Sequence, residues 1–371
     1  MKIAIVTLPL HSNYGGILQA YALQTILERM GHKVTVIDRK RKLKSDLNFP
    51  VKVKRFILKY ILFRRIQPLY ETVKYRRDKI TNKNTWKFVD KNIKKRSILS
   101  FYEITQNDYD AFVVGSDQVW RYPYFEGSFK AKISSAFLDF TNDWNVKRIA
   151  YAASFGTKEW EYPEIDTNIC SVLINKFDAV SVREIDGLQL LSRYLRFEQG
   201  QLCLDPTLLL SPDDYRCLLG NYKKTHNNRL FFNFLDYSED KLKLVGIISE
   251  EKKLIPFEIK NRNNDNDSLI PCSSLEDWLS SILDSDFIVT DSFHTCVFSI
   301  LFNKPFIVIG NKERGISRYQ SLLQLLGLED RLIFKSSEYE INKNYSNMLF
   351  ATERIEKFRK ESYDFLKKAL S

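Results

Sequence analysis

Two short apolar runs with a polar tip between them constrain this chain more than any other feature. Asp286-Phe287-Ile288-Val289 leads into Thr290-Asp291-Ser292-Phe293-His294-Thr295, then Cys296 to Phe302, and Pro305-Phe306-Ile307-Val308-Ile309 completes the unit. Continuous apolar runs of this length suit strands of a parallel sheet, which are covered on both faces. The unit therefore reads strand–helix–strand, with the tip at the carboxyl end of a strand and the amino end of a helix. Open α/β sheets bind ligands at such points, because unpaired N–H groups and the helix dipole favour anions. The chain has four histidines (His11, His32, His226 and His294), and His294 lies on this tip. Imidazole is the side chain suited to proton transfer near neutral pH, so His294 is a candidate acid/base group. The competing reading is a histidine that caps the helix or packs at the turn.

The same pattern recurs upstream. Ile3 to Leu8 reads as a strand, His11 to Gly16 as a loop, Ile17 to Met30 as an amphipathic helix closed by Gly31, and Lys33 to Asp38 as the next strand. Asn13-Tyr14-Gly15-Gly16 at the helix entrance allows close backbone approach, as phosphate-cradling turns do, although it is not GxGxxG and a plain tight turn would read the same way. Further runs end in Gly115-Ser116-Asp117-Gln118-Val119-Trp120, in Ser154-Phe155-Gly156, in Arg183-Glu184 and in Cys203-Leu204-Asp205-Pro206-Thr207. Several such tips together imply a cleft along one edge of a parallel sheet. A chain of 371 residues is too long for one ordinary α/β domain. The Ser-Pro-Asp-Asp helix start at 211–214 marks a boundary, giving domains over 1–211 and 212–346, with an amphipathic helix over 347–371 returning to the first. The polar tract Asn261 to Ser268 reads as a surface loop. The expected fold is α/β: two Rossmann-like domains facing across a cleft, GT-B-like, with a basic helical insertion over about 42–100 in the first.

That insertion concentrates the charge. Between Arg39 and Arg96 there are 21 Lys/Arg and four acids (Asp46, Glu71, Asp78, Asp90), a net of +17 in a chain whose total is +11. Val51 to Arg65 mixes apolar and basic positions at helical intervals. Such a stretch suits an anionic membrane surface or a lipid-diphosphate; a solvated basic hairpin is the alternative. Nucleic acid ranks last, since no recognisable binding motif accompanies the charge. No apolar run is long enough to span a bilayer, and Met1 to Leu8 reads as a strand rather than a signal peptide. The five cysteines show no CxxC spacing, which argues for a reducing cytoplasm and against a zinc site.

These tips carry a family resemblance. The sequence resembles the polysaccharide pyruvyl transferases in Asn13-Tyr14-Gly15-Gly16 with Gln19 and Ala20, in Gly115 to Trp120, and in Ala153-Ser154-Phe155-Gly156. The match continues through Ser181-Val182-Arg183-Glu184, Asp205-Pro206-Thr207, and Ser292-Phe293-His294 before Lys304-Pro305. The resemblance implies transfer of the enolpyruvyl carbon of phosphoenolpyruvate onto two sugar hydroxyls of a capsular or exopolysaccharide precursor, closing a cyclic ketal and releasing phosphate. It implies no cofactor and no metal. The acceptor would be a sugar, with a lipid-linked oligosaccharide fitting the basic block at the inner membrane face. His294 would serve protonation of the donor's C3 or deprotonation of a hydroxyl, with Asp117, Glu184 or Asp291 serving the other step. Asn13, Tyr14, Gly15, Gly16, Ser116, Gln118, Ser154, Arg183 and Ser292 would line the substrate site. Family members carry Arg two residues before the histidine, where this chain has Ser292; Arg314 and Arg318 are the candidates to bind the donor's anionic groups in its place. Two other functions fit the same architecture: a glycosyltransferase using a nucleotide sugar, and a non-catalytic member of a polysaccharide assembly complex.

Overall fold

The computed structural model describes residues 1–40, 49–61, 70–128, 131–224, 226–259, 270–310, 315–346 and 348–371. Its strands are β1 (Lys2–Val6), β2 (Lys33–Arg39), β3 (Lys95–Ile98), β4 (Ala111–Val114), β5 (Lys147–Ala153), β6 (Ala179–Val182), β7 (Gln201–Leu202), β8 (Arg229–Asn233), β9 (Ile255–Phe257), β10 (Phe287–Thr290), β11 (Phe306–Ile309) and β12 (Leu332–Ile333). Its helices are α1 (Tyr14–Arg29), α2 (Phe49–Tyr60), α3 (Tyr70–Thr81), α4 (Lys83–Asn92), α5 (Glu164–Ile174), α6 (Ile185–Leu195), α7 (Pro212–Arg216), α8 (Glu239–Lys252), α9 (Leu275–Asp284), α10 (Phe293–Leu301), α11 (Ile316–Leu326) and α12 (Leu349–Leu370).

The strands form two parallel sheets, ordered β3-β2-β1-β4-β5-β6-β7 and β12-β11-β10-β8-β9. Strand β4, at the centre of the first sheet, is apolar at every position because both faces are covered: Ala111 to Val114 have no exposed surface. In each sheet the order reverses once, between β1 and β4 in the first and between β8 and β10 in the second. Chain crossings on opposite faces leave a crevice beyond the strand ends at these switch points. The polar tips after β1 and β4, and the His294 tip after β10, stand there. Two Rossmann-like domains result, as the alternation of runs predicts.

The basic insertion is helical only in part. Lys95 to Ile98, inside the expected helical span, pair with β2 as an edge strand. As an edge strand it can place its Lys and Arg beside acids outside the sheet: Lys95 pairs with Asp90 and Arg96 with Asp108. Helix α1 starts at Tyr14, earlier than its apolar pattern shows, because the Asn13 side chain accepts from the Gly16 amide and caps it.

The domains share a core. One apolar cluster contains Ile5, Leu18 and Leu23 from the first and Trp278, Ile288 and Phe298 from the second. Tyr14 bridges them, its hydroxyl donating to the Ser273 carbonyl and its ring lying 6.0 Å from that of Trp278. Helix α12 straps both. Arg354 donates to the Gln324 and Leu325 carbonyls of the second domain, while Ser362 accepts from the Leu204 amide of the first.

Candidate active site

Ser292 stops the extended run of β10 and accepts from the Thr295 amide at 3.5 Å, so α10 begins at Phe293 and His294 falls in its first turn. That turn presses against the start of α1. A Cβ at Gly15 would lie 2.0 Å from His294 ring atoms, so only glycine permits this approach. On the other side the His294 Nε2 lies 3.7 Å from Asp205 Oδ2. His294 thus belongs to one domain and is enclosed by the other.

Asp205 organises what it faces. Its Oδ1 accepts from the amide (3.1 Å) and hydroxyl (2.7 Å) of Thr207. Its Oδ2 accepts from Arg183 Nη1 at 2.6 Å and Ser116 Oγ at 3.2 Å. The same guanidinium donates to Asp117 Oδ1 at 3.2 Å and has its Nε 3.8 Å from Glu184 Oε2. Asn13, capping α1, also reaches Asp117, at 3.4 Å. Asp117 holds a left-handed backbone (φ 64°), and its carbonyl accepts from the Val119 and Ser154 amides, which joins the tips after β4 and β5. Glu184 precedes α6 and accepts from the Gly156 amide at 3.0 Å. Gly156 is left-handed as well (φ 69°), and a Cβ there would strike the Gln118 amide group.

The second domain closes this ring with the amino end of α11. A Cβ at Gly315, just before that helix, would lie 2.6 Å from the Gly156 carbonyl oxygen. Arg318, in the first turn, has its guanidinium 5.1 Å from the centre of the Phe293 ring, and Arg183 lies 4.7 Å from the same ring. Four helices, α1, α6, α10 and α11, therefore start around one cluster, and their amino ends add positive potential to the two arginines.

Charge and burial compete at each carboxyl. Burial favours the neutral form of Asp205, but His294, Arg183 and Thr207 outweigh it and hold the carboxyl well below its usual range. Asp117 behaves alike: burial opposes its charge, and Arg183, His294 and Arg318 restore it. Glu184 differs. Burial dominates there, and its carboxyl is raised despite Arg183 and the Gly156 amide. Burial lowers Arg318, and its neighbour Arg183 adds to the effect.

Buried polar atoms are normally hydrogen-bonded. Among the described residues, Gln118 Nε2, Ser154 Oγ, Arg183 Nε, Glu184 Oε2, His294 Nε2 and Ser317 Oγ are buried without a hydrogen-bond partner, and all lie on the tips just described. Six further atoms of this kind lie on other residues, so about half of those among the described residues fall on these tips.

Of the residues singled out in the sequence, Asn13, Gly15, Gly16, Ser116, Asp117, Gln118, Ser154, Arg183, Glu184, His294 and Arg318 come together here. Asp291 is placed otherwise. Its carboxylate accepts from the Leu235 (2.5 Å) and Asp236 (3.1 Å) amides and from Lys241 Nζ (2.6 Å), so it ties the tip after β8 to that after β10. Ser292 serves as a helix cap, and Tyr14 reaches Ser273. Arg314 lies outside the described residues. Asp205, Thr207, Phe293, Gly156 and Gly315 complete the cluster. Asp205 stands in the Asp-Pro-Thr tip that the sequence shows, but only the fold reveals that three polar chains meet on it.

The profile of the family described as polysaccharide pyruvyl transferase matches residues 13–313, a range that holds the tips from Asn13 to His294 but not the amino end of α11. The chain belongs to the polysaccharide pyruvyl transferase family. It is therefore a transferase of polysaccharide biosynthesis. No curated protein sequence matches it significantly. Among solved structures it is similar to the UDP-GlcNAc 2-epimerase from Neisseria meningitidis bound to UDP-GlcNAc, at 10% identity over 100% of this chain and 99% of that one, with a TM-score of 0.53. The UDP-GlcNAc 2-epimerase from Methanocaldococcus jannaschii is 12% identical over 98% of this chain and 100% of that one, with a TM-score of 0.48. At such identities the first of these shows the fold alone, the two-domain GT-B-like arrangement.

Proposed function

We propose that this family member takes phosphoenolpyruvate as donor and closes a cyclic pyruvate ketal on two hydroxyls of a sugar in a capsular or exopolysaccharide precursor. The observation that carries the reading is the pairing of Glu184 and His294 within one buried, arginine-flanked cluster. Burial raises the Glu184 carboxyl above its ordinary value, and His294 presents a ring nitrogen without a hydrogen-bond partner. The donor carries a phosphate and a carboxylate, which suit Arg318, the amino end of α11 and the Ser317 hydroxyl. Arg318 thereby takes the role that the family's missing arginine at Ser292 would have. The donor pocket needs no cofactor in this scheme.

Chemically, Glu184 protonates C3 of the donor and C2 becomes an oxocarbenium-like centre. The first sugar hydroxyl attacks C2 as its proton passes to His294. Phosphate then leaves from C2, taking that proton, and the second hydroxyl closes the ring. Its proton returns to Glu184. Two hydroxyl protons are thus accounted for, one on the new methyl group and one on phosphate. Asp205 and Asp117 keep Arg183 in place, and Asp205 faces the His294 ring at 3.7 Å.

Calorimetry with phosphoenolpyruvate against a panel of nucleotide sugars tests the donor. Saturable phosphoenolpyruvate binding is expected, weakened about ten- to a hundredfold in Arg318→Ala through loss of a charged contact. Binding of a nucleotide sugar with none of phosphoenolpyruvate would instead make the chain a glycosyltransferase. His294→Ala is expected to lower ketal formation by roughly a hundred- to ten-thousandfold with the fold intact. Near-full turnover in that variant would remove His294 from the chemistry.

A further inference from the structure

Helix α2 turns its apolar side outward. Val53, Phe56, Ile57 and Ile61, at and just beyond the helix, are 39%, 41%, 43% and 66% exposed. Their spacing of three and four residues places them on one continuous arc. Lys54, also exposed, flanks that arc, while Arg55, Leu58 and Lys59 on the other side are partly covered. Globular helices ordinarily bury the apolar arc, so this one is arranged for a partner.

The charge says which kind. From Leu47 to Tyr70 the chain contains six Lys/Arg and no Asp or Glu. A second copy meeting this face symmetrically would bring cation against cation. A nucleic acid would engage the cations and leave four apolar side chains in water. A partner that is both anionic and apolar just beneath its charged surface satisfies both halves of the helix. We propose that the apolar arc of α2, with the exposed Lys54 beside it, lies in the headgroup region of an anionic lipid bilayer. Its 12 residues make a helix of about 18 Å, suited to lying in the plane. Among the described residues no helix is long and apolar enough to cross a membrane. The proposal stands independently of the donor's identity, and it would bring the site toward acceptors that are themselves lipid-anchored.

Co-sedimentation of the full chain with phosphatidylcholine vesicles, with and without phosphatidylglycerol, is the test. Binding is expected to the anionic vesicles only, falling as salt is raised from roughly 0.05 to 0.5 M. Val53→Ser/Ile57→Ser/Ile61→Ser leaves the charge unchanged and should lower partitioning at least about tenfold. Lys54→Gln should lower it about fivefold. These side chains are exposed, so circular dichroism should be unchanged in both variants. Absence of binding at low salt, or undiminished binding in the triple variant, overturns the proposal. So does light scattering that finds a dimer which the triple variant dissociates, since the face would then be an interface between copies.

Discussion

At Glu184, burial and charge pull in opposite directions, and the outcome is measurable. The side chain has no exposed surface, and its carboxyl is raised by burial beyond what Arg183 and the Gly156 amide recover. The native state therefore holds its proton more tightly than the unfolded chain does. Through the interval above the usual glutamate range, the folded state binds more protons, so stability falls as pH rises. Asp205 and Asp117 carry the opposite sign: their contribution is present above the usual aspartate range and is lost as pH falls through their depressed range. Glu184→Gln deletes only the first effect. Its melting temperature relative to the parent is expected to increase as pH rises above the usual glutamate range. A difference that does not change with pH would mean that folding leaves the Glu184 carboxyl unshifted. Gly15 makes a related point without charge. Nothing about a glycine at a helix start reveals that an imidazole from 279 positions further along the chain will rest against it.

On the scale of elements, the tip after β10 does two jobs with adjacent residues. Ser292 caps the helix whose first turn holds His294 in the cluster, while Asp291 turns to Lys241 and two amides after β8. Both members of the ion pair are nearly buried, with side chains 2% and 10% exposed. Removing one partner leaves a desolvated charge behind, and Lys241→Met is expected to cost about 3 kcal/mol. Chemical denaturation should show it as a lower midpoint with an unchanged slope. Asp291→Asn should likewise destabilise, yet the activity of its folded fraction should stay within a few-fold of the parent. A loss as deep as that of His294→Ala would return Asp291 to the chemistry. Strand-and-tip patterns identify such elements well because continuous apolar runs and small polar tips have local causes. They do not say which of two neighbouring polar side chains turns inward, since that depends on what the opposite strand end offers. The basic segment shows the same limit, for its last residues join a sheet edge that the sequence marks only by proximity to the next strand.

For the whole molecule, the shared core and the α12 strap make the two domains one cooperative unit. Ile5 and Leu18 pack in the same cluster as Trp278 and Phe298, so unfolding one domain exposes the apolar face of the other. Scanning calorimetry is expected to show a single transition, and truncation before Leu349 should lower it sharply or divide it. Two separate transitions in the intact chain would show that the interface contributes little. By itself the sequence determined the α/β class, the strand ends and the ordered tips from Asn13 to His294. Local hydrophobic periodicity and helix-start chemistry suffice for these. Only the tertiary structure decided that Asp205 is the shared acceptor for Arg183 and Ser116 and faces His294, and that Asp291 ties strand ends together. It also decided that α2 exposes its apolar arc. Each of those facts depends on which distant groups share a buried volume, and a carboxylate's partners there are selected by packing geometry and desolvation rather than by its neighbours along the chain.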